Sequence, residues 1–306
     1  MGDAMPEQWN AALKHLPTRY GTLAYFEFGS GNRPLLLLHG FPDTPQTFES
    51  LVEAACHEGY RCLAPLLPGY GDSDLPHPGG ASILAVARML NDFLDHVATH
   101  QAVRIVGHDW GSILAQMLCG LHQEGRPMAY RMDRVVLAAV PPLRTFLRQI
   151  NPRQLMRSRY MYYFQLPGAC AQIRRGDFAY IRTLWRRWSP GLQPDHPQLE
   201  RVIACLRRPR GLEQATAYYR ALINPAQLLG APEPLTQLRL MFSAKPWPAL
   251  ILVGSEDECI GPELYRGAER AFPHPDSRQE VLPGVGHFLH LEQPEGFNRR
   301  VLDFLG

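Results

Sequence analysis

The 306-residue chain has no apolar run approaching the 18 or more residues that a membrane helix needs, so no span is expected. Its first twenty residues, MGDAMPEQWNAALKHLPTRY, lack the basic-then-apolar pattern of a secretory leader, which makes a cytoplasmic location the expectation. The six cysteines (56, 62, 119, 170, 205 and 259) show no C-x-x-C spacing and no pairing with His at metal-ligand intervals. They read as reduced, mostly buried thiols, and no metal site is expected. No G-x-S-x-G occurs, and GDSDL (71–75) lies in loop-like sequence, so the elbow of a serine esterase or lipase is missing. No internal repeat, low-complexity segment or recognisable nucleic-acid-binding module is present.

Lysine is absent where arginine is dense. Between Arg144 and Arg220 stand fifteen Arg, no Lys and four acids (Asp177, Asp195, Glu200 and Glu213). That stretch carries +11 in a chain of net charge +2, which leaves −9 elsewhere. Such a surplus suits a surface that attracts anionic substrates, lipid headgroups or a partner; it equally suits the solvated faces of arginine-rich helices. The charges recur at helical spacing, which favours the second reading.

Apolar segments alternate along the chain. TLAYFEF (22–28) alternates like an edge strand, and PLLLLHG (34–40) is a continuous run ending in Gly, like a buried parallel strand. A helix-like FESLVEAACHEG leads into YRCLAPLLP (60–68), a Gly- and Pro-rich loop (69–80) and a helical pattern over 83–98. VRIV (103–106), a helix over 112–121 and RVVLAAVPP (134–142) follow. From about 143 to 235 the pattern is amphipathic and aromatic-rich, with no good strand. Strand signals resume at PALILVGSED (248–257) and RQEVLPGVGH (278–287), before a final helix (294–305). The expected architecture is α/β: a mostly parallel sheet with helices on both faces, formed by 1–142 and 236–306, with 143–235 inserted as a helical cap.

VGHDWGS (106–112) has the spacing of a nucleophile elbow, with Gly107 and Gly111 as the small residues, but Asp109 stands where a serine hydrolase has Ser. In the order nucleophile, acid, histidine, Asp257 follows the strand ALILVG and His287 follows the next strand. Both lie at carboxyl ends of strands, where open α/β sheets bind ligands. Glu256 and Glu258 are rival acids, and His290 a rival base.

With these residues placed, the chain resembles an α/β-hydrolase of the epoxide hydrolase branch over essentially its whole length. HGFP (39–42) resembles the family's H-G-x-P, GHDWG its elbow and GVGHF its histidine loop. YMYYFQLPG (160–168) and AYYRAL (217–222) are similar to the two cap segments that present tyrosines. One departure is PLLPGYGDSD (65–74), where Leu66 and Pro68 replace the acid and Arg often found before GYG.

The resemblance implies an epoxide opened by Asp109, and the chemistry explains the carboxylate. It is already ionised at neutral pH and attacks a strained carbon, giving an ester. His287, oriented by Asp257, then deprotonates the water that hydrolyses the ester. The backbone N–H groups of Phe41 and Trp110 are the expected oxyanion donors. Tyr160 and Tyr219 best match the family's proton donors to the opening oxygen, with Tyr162, Tyr163 and Tyr218 as neighbours that could take their place. His39, Pro42, Phe164, Trp185 and Phe288 are expected around the substrate, with Phe146 also lining the pocket. The partners are therefore a small hydrophobic epoxide and water; no cofactor or nucleic acid is implied, and a homodimer is left open.

A haloalkane dehalogenase would use the same aspartate, with Trp110 on the halide. Phe41 occupies the place of its second donor, which leaves Trp185 or Trp188 to substitute. A haloacetate dehalogenase would want Arg where Trp110 and Ile113 stand. A catalytically silent binding protein would usually have lost one of Asp109, Asp257 and His287.

Overall fold

The computed structural model describes residues 7–125 and 128–306. Its eight strands are β1 (Leu13–Thr18), β2 (Gly21–Phe28), β3 (Arg33–Leu38), β4 (Tyr60–Pro65), β5 (Ala102–His108), β6 (Arg131–Ala138), β7 (Ala249–Gly254) and β8 (Arg278–Leu282). They form one sheet in the order β1-β2-β4-β3-β5-β6-β7-β8. β2 pairs antiparallel with β1 and β4, and the remaining pairs are parallel.

Continuous apolar runs become the middle of this sheet because helices cover both of its faces. Leu35–Leu38 on β3 and Ala249–Val253 on β7 are fully buried. Helices Glu49–His57, Ile83–Val97, Trp110–Gln123 and Pro294–Leu305 supply the cover. Helix Ile83–Val97 starts at Ser82, whose hydroxyl accepts from Ala85 N, and it buries Ile83, Val86, Leu90 and Phe93. β1 carried no strand signal. LKHLPT mixes half-buried and exposed positions, and Pro17 is tolerated because β1 has a neighbour on one side only.

Between β6 and β7 the described chain is helical from Leu143 to Phe242, in nine helices. Helix Pro234–Phe242 runs across the boundary expected at 235. The insertion grips loops at the carboxyl ends of the strands. Trp185 Nε1 donates to Pro42 O after β3, Tyr218 OH to Pro68 O after β4, and Gln154 Nε2 to Cys259 O after β7. The loop that departs from the family's pattern is thus held by Tyr218 and by Ser73, whose hydroxyl donates to Leu66 O. Many inserted arginines are neutralised locally. Arg153, Arg157, Arg174, Arg182, Arg201, Arg207 and Arg208 each pair with an acid.

Candidate active site

β5 ends and helix Trp110–Gln123 begins around Asp109, which takes φ 54° and ψ −115°. A non-glycine residue in that region is strained by about 1–3 kcal/mol and persists only where its surroundings enforce it. Here the enforcement is visible. Asp109 N donates to Ala138 O at 3.0 Å, and the Ser112 hydroxyl ties Gly107 O to Ala138 O. Gly111 packs so tightly on Leu38 O that a Cβ would overlap it, and a Cβ on Gly40 would overlap the Asp109 side chain. These close approaches explain why the turn needs glycine at both places.

Asp109 is 5% exposed, and Phe41 N donates to its Oδ1 at 2.7 Å. Trp110 opens the helix, so its N–H has no acceptor four residues back. Of the two backbone donors expected from the sequence, Phe41 N thus contacts the carboxylate, and Trp110 N follows Asp109 directly at the start of the helix.

His287 and Asp257 meet the carboxylate from the loops after β8 and β7. His287 Nδ1 is 2.9 Å from Asp257 Oδ2, and Nε2 is 3.6 Å from Asp109 Oδ2. Asp257 Oδ1 accepts from Cys259 N at 2.7 Å and Ile260 N at 2.9 Å, which leaves Oδ2 for the imidazole. His287 N is fixed on Trp188 O. Burial pushes the His287 pKa down, but the charge of Asp257 and the carboxylate of Asp109 outweigh it and carry the pKa up to about 10. The rival acid Glu258 is instead bound to Arg153 and Arg157.

Of the five candidate tyrosines, Tyr160 and Tyr219 come together. Their rings are 5.5 Å apart, and Tyr219 also meets Phe41 at 5.2 Å and Trp110 at 5.0 Å. Burial, then nearby anionic groups including Asp109, pushes both phenols well above their ordinary pKa, so both stay protonated donors. The two hydroxyls differ. Tyr160 OH lies 3.6 Å from Cys259 Sγ, whereas Tyr219 OH is buried without a hydrogen-bond partner among the described residues. Tyr218 is committed to Pro68 O, Tyr162 is exposed and Tyr163 packs on Tyr180.

Phe164, Trp185 and Phe288 are buried beside this group. Phe164 packs on Phe41 and Tyr219, and Trp185 stacks on Phe288 at 4.1 Å. Pro42 takes part through its carbonyl, which accepts the Trp185 indole N–H. His39, expected to contact substrate, spends both ring nitrogens on backbone: Nδ1 on Gly40 O and Nε2 on Leu67 N. Its contribution is to hold the turn that aims Phe41 N. Phe146 is partly buried and packs at the edge of the core.

Sequence reasoning passed over a polar group behind His287. His108 Nε2 lies 3.0 Å from His287 O, and its ring packs 4.5 Å from that of His290. Asp43, His108 and His290 each present a ligand-type atom, all within 4.8 Å of one another. Donors of these types would suit a transition metal. Asp43 Oδ1 is already held by Thr44 N and Gln198, and His290 Nε2 by Thr47, so the group reads as a brace for the histidine loop. Burial pushes Asp43 up to about 7, His108 down to about 3 and His290 well down. The rival base His290 belongs to this brace. The available signal was its composition, polar residues on otherwise apolar strand ends.

A second unanticipated feature is a clamp on the loop that carries Asp257. Gln154, fully buried, donates to Cys259 O at 2.8 Å and accepts from Gly261 N at 3.1 Å. Arg157, 4% exposed, binds Glu258 and Glu263. These residues and Tyr160 recur at helical spacing in one stretch of the insertion, so the segment that carries a tyrosine also holds the acid's loop.

The chain's residues 33–294 match the family described as α/β hydrolase fold. It is 27% identical over 293 residues to human "Epoxide hydrolase 4", covering 92% of this chain and 75% of the relative. It is 29% identical over 314 residues to "Epoxide hydrolase A" of Mycobacterium tuberculosis, covering 92% of this chain and 94% of the relative. Two solved structures share the fold. An epoxide hydrolase from an endophytic Streptomyces superposes with a TM-score of 0.75 at 22% identity, over 96% of this chain and 94% of that one. A laboratory-evolved variant of potato epoxide hydrolase gives 0.74 at 21% identity, over 96% and 99%. Asp109 on its elbow, the flanking strand ends and the match across most of its length agree: this chain belongs to the α/β-hydrolase fold family.

Proposed function

We propose that the chain is an epoxide hydrolase that converts a small hydrophobic epoxide to a vicinal diol through an ester of Asp109. One observation carries the reading: a buried carboxylate on the elbow lies beside His287, and the Tyr160–Tyr219 pair packs, through Tyr219, on the flanking Phe41 and Trp110. Similarity to proteins named epoxide hydrolases over 92% of the chain supports it.

In the first half-reaction Asp109 attacks an epoxide carbon, the ring C–O bond breaks, and a tyrosine hydroxyl protonates the departing oxygen. In the second, His287 takes a proton from water and the hydroxide adds to the ester's carbonyl carbon. Phe41 N and Trp110 N receive the resulting oxyanion. Collapse expels the diol and restores the carboxylate: of the two protons that water brings, one completes the second hydroxyl of the diol by way of His287 and the other returns to the tyrosine. The helical insertion acts as the cap, and its Phe164, Trp185 and Tyr219 favour an apolar epoxide. No described helix is long and apolar enough to cross a membrane, and the six free cysteines suit a reducing compartment such as the cytoplasm.

The test is a single turnover in heavy-oxygen water. The added diol oxygen should be light, because it comes from Asp109; label in that first diol would mean direct attack by water.

A haloalkane dehalogenase is the second reading, favoured by Trp110 Nε1, which is buried without a hydrogen-bond partner among the described residues. Its second halide donor could not be Trp185, whose N–H is spent on Pro42 O. Styrene oxide, a chlorinated alkane and a nitrophenyl ester assayed side by side separate these chemistries.

A further inference from the structure

The arginine surplus of the insertion is not neutralised everywhere. Helix Leu143–Gln149 opens the insertion and packs beside the 3-10 turns Pro262–Tyr265 and Ala268–Ala271, which follow the loop of Asp257. Between them lies a cavity of about 210 Å³, lined by Arg144 and Arg148 from the helix and by Arg266 and Arg270 from the core. No acidic side chain lines it. Glu263, on the same core segment, is engaged by Arg157. None of the four guanidiniums has an acid partner among the described residues, whereas eight other arginines of the insertion do.

Arg144 and Arg148 are four apart on one helix, a spacing at which like charges repel. Arg266 and Arg270 add two more from the facing side. Convergence of four cations on one concavity is unfavourable in the free protein and becomes favourable when an anion occupies it. Two neutral groups complete the wall. Thr145 is 7% exposed. Gln149 Nε2 already bridges helix and core by donating to Arg266 O at 3.2 Å.

We infer that this cavity binds a phosphoryl group, free or carried on a larger molecule, and ties the first helix of the insertion to the core. A phosphoryl group carries close to two charges and presents three strong acceptor oxygens, which suits planar guanidinium forks arriving from two sides. The volume exceeds several times the roughly 30 Å³ that one water occupies in the liquid. None of these residues belongs to the Asp109 site, so the inference stands or falls apart from the proposed reaction.

The test uses the full chain and two probes, inorganic pyrophosphate by titration calorimetry and phosphatidylcholine vesicles with or without phosphatidic acid by co-sedimentation. Saturable one-to-one binding of pyrophosphate is expected. Arg148→Gln/Arg270→Gln removes two charge-assisted contacts and should weaken it at least about tenfold, with epoxide turnover in the absence of pyrophosphate unchanged. Arg148→Lys/Arg270→Lys keeps the charge but loses the fork, and should fall between the two. If the vesicles bind as well and the same variants release them, the phosphoryl group is carried on a lipid; if pyrophosphate alone binds, it is free. The inference is overturned if neither probe binds, if the Gln variant binds like the parent, or if sodium chloride at matched ionic strength displaces the probe equally well.

Discussion

His287 Nε2 stands 3.6 Å from Asp109 Oδ2, beyond a normal hydrogen bond, while its Nδ1 is held at 2.9 Å by Asp257. Two carboxylates thus share one buried imidazole, and they keep it protonated although burial opposes the charge. Esterification of Asp109 removes one of the two negative charges. The proposed reaction therefore itself lowers the His287 pKa and produces the neutral base only when the ester is present.

This makes a signed prediction about stability. A pKa of about 10 in the folded state, against 6.5 for a free imidazole, stabilises the fold fully below about pH 6.5. That contribution is lost as pH rises towards 10. The unfolding free-energy difference between parent and His287→Gln, measured by urea titration across that window, should shrink as pH rises. A difference that grows with pH would show that the imidazole is neutral in the folded protein. In Asp109→Asn, the His287 imidazole should titrate at lower pH by NMR.

The two half-reactions should separate by mutation. His287→Gln is expected to form the ester and fail to hydrolyse it, leaving the enzyme heavier by one substrate in mass spectrometry. Asp109→Ala should show no adduct. Asp257→Asn should be slow rather than dead, because it orients the imidazole and does not react. Normal turnover by His287→Gln would remove His287 from the scheme.

The tyrosine pair should be unequal. Tyr219 OH is unpartnered, whereas Tyr160 OH is engaged by Cys259, so Tyr219→Phe should slow epoxide opening more than Tyr160→Phe does. General acid catalysis is worth about 10²–10⁴-fold, and the double variant should lose more than either single one. Rapid-quench measurement of ester formation decides the order. Hydrolysis of the formed ester should stay near the parent rate, since that step does not call on the phenols.

Gln154 should matter more to the second half-reaction than to the first. Gln154→Leu leaves Cys259 O and Gly261 N unpaired in a buried place, a cost of about 1–3 kcal/mol for each such group. The loosened loop should misplace Asp257, slow ester hydrolysis and let the ester accumulate, with its formation little changed. Equal slowing of both steps, in proportion to the loss of folded protein, would mean the clamp serves stability alone.

Asp109 was legible before any coordinates because an elbow is local. Two glycines at fixed spacing and a strand running into a helix are properties of seven consecutive residues. The sheet's central strands were legible for a similar reason, since continuous apolar runs have few other places to go. β1 was not, because an edge strand need not bury a continuous apolar stretch and LKHLPT carries no periodic signal.

What only the tertiary structure decided lies between segments far apart in the chain. The cap segments favoured Tyr160 and Tyr219 but left Tyr162, Tyr163 and Tyr218 open; the packing separates them, by bringing one pair together, spending Tyr218 on Pro68 O and leaving Tyr162 exposed. His39 carried a motif signal, but its burial and two backbone hydrogen bonds turned it from a substrate contact into a support. The brace of Asp43, His108 and His290 and the clamp of Gln154 and Arg157 join residues separated by dozens of positions or more. Spacing along a chain records which residues share a turn or a helix face. Whether a buried polar atom finds its partner depends on how those faces pack, and that was settled only in three dimensions.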